Sequence, residues 1–198
     1  MSSHKDYHPN GQLKEEGNHK NGEPHGKWTW WYENGQKWEE GTYKDGKLEG
    51  VYTSWHQNVK KKEEGTYKGG KLDGINIHWY ENGQKWEERT YKDGQLDGEL
   101  TRWYENGQKD REGLVKDGKE DGLWKNWYDN GQKKSEGTFN GGNWNGLVMN
   151  WYDNGQKSSK GSFQDGEKVG KWAYWCENGQ KIKEETYKDG ELIDSKKY

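Results

Sequence analysis

The sequence lacks several features that would assign it to a common protein class. It has one cysteine, Cys176, in 198 residues, which excludes an internal disulfide framework. No apolar run approaches the roughly 20 residues of a membrane-spanning helix, and the first residues lack a signal-peptide apolar region. Acidic and basic residues are interspersed with a net charge of −3, so no basic block is available for phosphates. These absences predict a cytoplasmic protein without a membrane span or a nucleic-acid partner.

Motifs for catalysis and for cofactor or metal binding are also missing. The chain has no phosphate-binding loop, cysteine cluster or nucleophile elbow. His4 and His8 have a metal-ligand spacing, but an extended segment does not place both rings on one face as a helix would. Glutamates recur periodically, so every copy has nearly the same environment, whereas acid–base catalysis needs two carboxyl groups in different ones. We therefore predict a non-enzymatic protein with no cofactor and no metal site.

Glycine is abundant and strictly spaced. Asn-Gly recurs every 24 residues, with one exception at Asn58-Val59, and a second glycine keeps the same period from Gly22 to Gly190. A third recurs four residues later, from Gly26 to Gly170, and Asp194 replaces it in the last unit. No insertion or deletion interrupts this count across eight units. Such a fixed period is typical of a repeat array, in which each unit makes the same contacts with its neighbours.

The high aromatic content predicts that the chain folds. Only 26% of the residues are hydrophobic and 34% are charged, a composition that by itself favours disorder. The chain nevertheless has 14 Trp and 13 Tyr, and each such ring buries roughly 150–250 Å² without requiring a deep core. The sequence thus predicts a thin folded layer and not a globule.

The residue pattern of one unit, residues 27–50, predicts two strands. Segments rich in Trp, Tyr and Thr flank Asn34-Gly35, which predicts a hairpin with a type I′ turn, and a longer turn follows from Lys44 to Gly50. We predict an all-β fold: an elongated, twisted, single-layer antiparallel sheet of stacked β-hairpins with about eight 24-residue repeats. They form one array over 1–198, with units at about 3–26, 27–50, 51–74, 75–98, 99–122, 123–146, 147–170 and 171–194.

A two-residue turn at Asn34-Gly35 fixes a strand register. It would place Trp31 opposite Trp38, Tyr32 opposite Lys37, and the ring of Trp28 over Gly41, a pairing that protects glycine in a sheet. Strand alternation then predicts a row of tryptophans with a row of glutamates on one face, and rows of tyrosines with a row of lysines on the other.

The unit WYENGQKWEEGTYKDGKLEG resembles the MORN repeat in its bacterial variant. Asn-Gly-Gln, the later Gly-Thr-Tyr and both following glycines coincide at fixed offsets from about Tyr7 to Leu192, apart from Asn58-Val59, Arg89, Glu185 and Asp194. The resemblance implies stacked β-hairpins. It also implies a possible relation to YwqK-family antitoxins, each of which is paired with a toxin, although other members have no assigned role.

Two functional hypotheses follow. The first is a non-catalytic protein-interaction scaffold, with an antitoxin or immunity protein bound to its cognate toxin as the specific form. The alternative is a carbohydrate or cell-wall binding module that uses the aromatic ladder. For a protein partner, an aromatic face of the middle units, about residues 74–160, is the predicted binding surface; the oligomeric state stays open. The predicted binding residues are Trp79, Trp103, Trp127, Trp151, His78, Arg102 and Met149.

Overall fold

The computed structural model describes all 198 residues and contains only β-strands and their connections. Eighteen antiparallel strands belong to one open sheet. Consecutive strands pair with each other, except that the two-residue strand Glu23–Pro24 pairs with Leu13–Lys20, which also pairs with Gly26–Trp31. The chain divides into two compact units, 1–96 and 97–198. The all-β prediction of stacked hairpins is confirmed. No helix is present that could span a membrane.

The first unit contains nine complete strands and the beginning of a tenth. Their bounds are β1 Ser2–Tyr7, β2 Leu13–Lys20, β3 Glu23–Pro24, β4 Gly26–Trp31, β5 Lys37–Lys44, β6 Lys47–Trp55, β7 Lys61–Lys68, β8 Lys71–Trp79 and β9 Lys85–Lys92.

The second unit contains most of β10 and the eight strands that follow it. Their bounds are β10 Gln95–Trp103, β11 Lys109–Lys116, β12 Lys119–Trp127, β13 Lys133–Asn140, β14 Asn143–Trp151, β15 Lys157–Gln164, β16 Glu167–Trp175, β17 Lys181–Lys188 and β18 Glu191–Lys197.

The two connections of each repeat differ from the prediction. The tight type I′ turn is at Asp45-Gly46, where both residues have positive φ (48° and 78°) and Lys44 pairs directly with Lys47. At Asn34-Gly35 only Gly35 has positive φ (79°). There the Gly35 N–H donates to the Tyr32 carbonyl, as in a type I turn followed by a left-handed residue. The predicted type I′ turn at Asn-Gly is therefore wrong.

The longer loop changes the strand register by one residue. Trp28 pairs with Gly41 as predicted, but Trp31 pairs with Lys37 and not with Trp38, and the predicted pair of Tyr32 with Lys37 is also wrong. A one-residue shift moves a side chain to the opposite face of a sheet. Lys37 consequently lies beside the tryptophan row, whereas the sequence placed it beside the tyrosines.

The protein core lies on one face, which we call the core face. Its buried hydrophobic residues are Trp28, Leu100, Val115, Trp124, Val148 and Trp172. The sequence predicted that a ring would cover the glycine paired with it, Trp28 over Gly41, but the ring covers Gly17 of the preceding strand, where a Cβ would lie 2.2 Å from it. Gly41 is the registered partner of Trp28 on β5, whereas the pairing of β2 with β4 ends at Glu16 and Thr29, and the indole N–H donates to the Asn18 carbonyl of β2, next to Gly17.

Candidate functional site

The opposite surface, which we call the Trp face, repeats one three-residue cluster. In 97–198 the Lys109 ammonium lies 5.8 Å from the ring centroid of Trp127 and pairs with Glu112. One repeat later Lys133 lies 5.2 Å from the Trp151 ring and pairs with Glu136. Distances below about 6 Å permit a cation–π attraction. Each of these tryptophans therefore has an ammonium over its ring.

The same cluster recurs in 1–96. Lys37 lies 5.7 Å from the Trp55 ring and 2.6 Å from a Glu40 oxygen, and Lys61 lies 5.6 Å from the Trp79 ring. The register change at the Asn-Gly loop produces this arrangement, because it turns the lysine that follows each loop toward the tryptophans. Tryptophan, lysine and glutamate thus form three parallel rows on the Trp face.

Two carboxylates of this face, Glu40 and Glu112, have a pKa lowered by the lysines around them. Partial burial acts to raise the pKa of Glu112, but hydrogen bonds and charge from Lys109 and Lys125 outweigh it and leave the pKa below its usual value. The pKa of Glu40 is lowered in the same way, with burial opposed by Lys27 and Lys37. These two glutamates therefore share one environment, and the geometry does not set one apart as an acid or a base.

Exposed aliphatic side chains interrupt the charged rows in 97–198. Leu114, Leu123 and Leu147 are 42–50% exposed. Leu123 precedes Lys125 and Trp127 by two and four residues on β12, and strand alternation therefore places it on the Trp face. A concavity of about 330 Å³ lies between Leu114 and Leu123, with Glu112 and Lys125 also in its lining. We call the three leucines the leucine patch.

The loop-side aromatic row has a structural role. The Tyr104 hydroxyl donates to the Trp127 carbonyl and the Tyr128 hydroxyl to the Trp151 carbonyl, both at 2.8 Å. Asn106 reaches the Asp129 carbonyl of the following repeat at 2.6 Å, and its side-chain oxygen accepts the N–H of Gln108 within its own loop. These bonds account for the recurrence of Tyr-x-Asn-Gly-Gln, because each loop is bound to the next one.

The predicted binding residues occupy both faces. Trp79, Trp103, Trp127 and Trp151 form part of the tryptophan row, and Met149 lies on the same face opposite Glu136. His78 lies on the core face, with its ring 5.5 Å from that of Trp86, and Glu63 is its cross-strand partner. Arg102 is also on the core face, because it pairs with Arg111, whose guanidinium lies 4.3 Å from the Trp124 ring.

Within 97–198, Arg102 therefore lies on the face opposite to that of Met149, and His78 lies on the core face of 1–96. The sequence analysis did not select Leu114 or Leu123. Leu114 is apolar at a position where the other units carry a polar residue, such as Thr42, whereas the position of Leu123 is Lys27 in the second unit but also Val51 and Ile75 in the next two. The contrast at Leu114 was the available signal. Nowhere do three or more His, Cys, Asp or Glu side chains form a group that could hold a metal ion.

A comparison with protein-family models identifies the repeat. The model described as MORN repeat variant matches six times, at residues 3–21, 24–45, 72–93, 96–117, 120–140 and 144–165, which together exceed half of the chain. Residues 46–71 and 166–198, which fall outside these matches, contain Val59, Glu185 and Asp194, three of the departures from the repeat pattern. A search of curated proteins found no match.

Proposed function

We propose that this chain, which belongs to the MORN repeat variant family, is a non-catalytic scaffold that binds a protein partner through the Trp face of residues 97–198. MORN repeats are generally associated with scaffolds that bind proteins or membranes. The observation that carries the proposal is the leucine patch: three exposed aliphatic side chains on a face where Lys109 and Lys133 are ion-paired with Glu112 and Glu136.

The composition of this face suits a protein partner. Leu123 is half exposed, and isolated exposed leucines are ordinary, but Leu114 and Leu123 line one concavity. Grouped exposed apolar side chains with a polar rim usually mark interaction sites. Lys109, Lys125 and Glu112 supply that rim, and their charges would fix the orientation of a partner more than they would add to affinity.

The tryptophan row is less suited to carbohydrate, the alternative function. A sugar stacks on an open ring face, whereas ammonium groups lie over the rings of Trp55, Trp79, Trp127 and Trp151. A sugar would have to displace a lysine that is also bound to a glutamate. We therefore favour a protein partner.

An antitoxin or immunity protein in the cytoplasm is the specific form of the proposal suggested by the family resemblance. Its test is co-expression with the product of any adjacent toxin-like gene. Growth restored by this chain, and not by a variant with a disrupted leucine patch, would support that role. Unchanged growth inhibition would exclude that toxin as the partner.

The general proposal is tested by quantitative pull-down from the native cell. Leu123→Glu combined with Leu147→Glu places two carboxylates in the patch, and because both side chains are exposed, folding should be retained. We expect the loss of specifically captured proteins. The matched control is Ile182→Glu, an equally exposed aliphatic residue on β17 outside the patch.

A second pair of variants separates the two faces. Met149→Ala alters the Trp face, whereas His78→Ala with Arg102→Ala alters only the core face. Binding that is reduced by Met149→Ala and by the double leucine variant, but not by the His78 and Arg102 pair, supports the proposed surface. The reverse pattern would place the partner on the core face and refute it.

A further inference from the structure

A second feature lies on the core face of residues 1–96. Trp30, Tyr32 and Trp38 line a cavity of about 470 Å³, within the range of small-molecule sites. Trp30 projects from β4, Trp38 from β5, and Tyr32 from the loop that joins these strands. The hairpin thereby brings three aromatic rings around one space.

The rings are held by contacts that do not fill the cavity. Trp30 stacks on Trp28 with centroids 5.7 Å apart, and its indole N–H donates to a Glu15 carboxylate oxygen at 3.0 Å. The Tyr32 hydroxyl donates to the Trp55 carbonyl at 2.8 Å, and its ring lies 6.1 Å from that of Trp38. Trp30 and Tyr32 are thus fixed in orientation before any ligand arrives.

The charges around the cavity favour a cation. Glu15 and Glu33 both line it, and Glu15 lies at the edge of the Trp30 ring. The one lysine in the lining, Lys14, is bound to Asp6 at 2.8 Å, so a neighbouring carboxylate offsets its charge. His8 donates its Nε2 hydrogen to the Trp31 carbonyl at 2.8 Å. The lining therefore carries a net negative charge.

This combination is specific to one repeat. The positions of Trp30, Tyr32 and Trp38 are all Trp or Tyr only in the unit 27–50. Two repeats later they are His78, Tyr80 and Trp86, and in every other unit at least one is charged, polar or aliphatic. The three-ring arrangement is consequently not a requirement of the repeat scaffold, which forms without it seven times.

We propose that Trp30, Tyr32, Trp38 and Glu15 form a binding site for a trimethylammonium group. A permanent cation without hydrogen-bond donors is attracted to the faces of aromatic rings, and its methyl groups suit the aromatic part of this lining, Trp30, Tyr32 and Trp38. A nearby carboxylate adds Coulomb attraction. Choline and trimethylated lysine carry the same group, and either would enter the cavity with its charged end first.

The test is calorimetric titration of the full chain with tetramethylammonium, choline and N-acetyl-trimethyllysine amide. We expect saturable binding of tetramethylammonium with a Kd of about 1 mM or tighter, because several rings contribute together. The neutral isostere of choline, 3,3-dimethyl-1-butanol, should bind at least about tenfold more weakly. A preference for choline or for the lysine derivative would identify the source of the group. Equal binding of the neutral alcohol, or no binding of tetramethylammonium, would overturn the proposal.

Two variants test the residues. Trp38→Leu removes one ring, and Trp86→Leu is its matched control, because both tryptophans are 41% exposed and lie 48 residues apart at the same repeat position. We expect about a tenfold loss of affinity for Trp38→Leu and no change for Trp86→Leu. Glu15→Gln keeps an acceptor for the Trp30 N–H and should weaken binding several-fold. Equal effects of the two tryptophan variants would refute the site, and no result here bears on the leucine patch.

Discussion

Val59 occupies the loop position at which seven other repeats have glycine. Its φ is 63°, in the left-handed region, and glycines at the equivalent positions have φ between 79° and 87°. The loop keeps its usual bonds: the Val59 N–H donates to the His56 carbonyl at 3.0 Å, and Asn58 reaches the Glu81 carbonyl at 2.7 Å. These contacts hold a β-branched residue in a conformation that it strongly disfavours.

We expect Val59→Gly to stabilise the protein. Relief of the left-handed conformation is worth about 1–3 kcal/mol, and the greater freedom of glycine in the unfolded chain offsets roughly 0.4–1 kcal/mol of it. Little burial is lost, because Val59 is 59% exposed. The net gain is about 1 kcal/mol, which for a chain of this length corresponds to a rise in melting temperature of about 2–4 °C.

Calorimetric melting and urea titration provide the measurement. Gly107→Val introduces the same strain into a loop with matching hydrogen bonds and should destabilise the protein. Val51→Gly is the second control, because Val51 is similarly exposed but lies in strand β6, where glycine should be unfavourable. If Val59→Gly melts at or below the temperature of the natural chain while both controls destabilise, the strain argument fails.

Three further predictions address packing, pH and the contacts between repeats. Trp124→Ala should cost about 3–5 kcal/mol in urea unfolding, because Trp124 is 1% exposed, and half-buried Trp127→Ala should cost less; equal costs would contradict the assigned core face. Because the pKa of Glu112 is lowered in the folded protein, its ionised carboxylate stabilises the fold fully above the ordinary pKa of 4.5, and this contribution is lost as pH falls through the lower folded pKa. In Glu112→Gln the melting temperature should therefore fall less steeply as the solution is acidified. Tyr104→Phe removes the hydrogen bond to the Trp127 carbonyl and should cost about 0.5–1.5 kcal/mol by the same urea assay, whereas no loss would show that this bond does not stabilise the stacked loops.

The repeat period and the strand-forming residues were sufficient to predict the fold. They did not distinguish the two turns, because Asn-Gly and Asp-Gly both suit a type I′ turn locally. In the structure Asn34 belongs to the wider loop and Asp45 to the tight turn. At equivalent loops Asn10 and Asn106 bind carbonyl groups 23 residues ahead. A contact over that distance cannot be predicted from the sequence of one isolated unit.

The wrong assignment of side chains to the two faces of the sheet had the same cause. The extra residue in the Asn-Gly loop turns Lys37 toward the Trp face, and the sequence analysis, having assumed a two-residue turn, placed it with the tyrosines. The choice between Gly17 and Gly41 beneath Trp28 could not be made from pairing alone, since each lies beside it on a neighbouring strand. The exposed Leu123 became recognisable only when its face was known.

The recurring and the variable positions of this repeat perform different tasks. Tyrosine, asparagine and glycine at the loops bind one repeat to the next, so replacing Tyr104 or Asn106 would disturb the stacking itself. The positions of Trp38 and Leu123 make no recurring bond between repeats, and they carry Trp, Lys, Asp, Ser or Ile in one case and Lys, Val, Ile, Glu or Leu in the other. A side chain at either position can therefore change without altering the backbone that presents it. This separation allows one scaffold to hold an aromatic cavity in one repeat and a leucine patch in others.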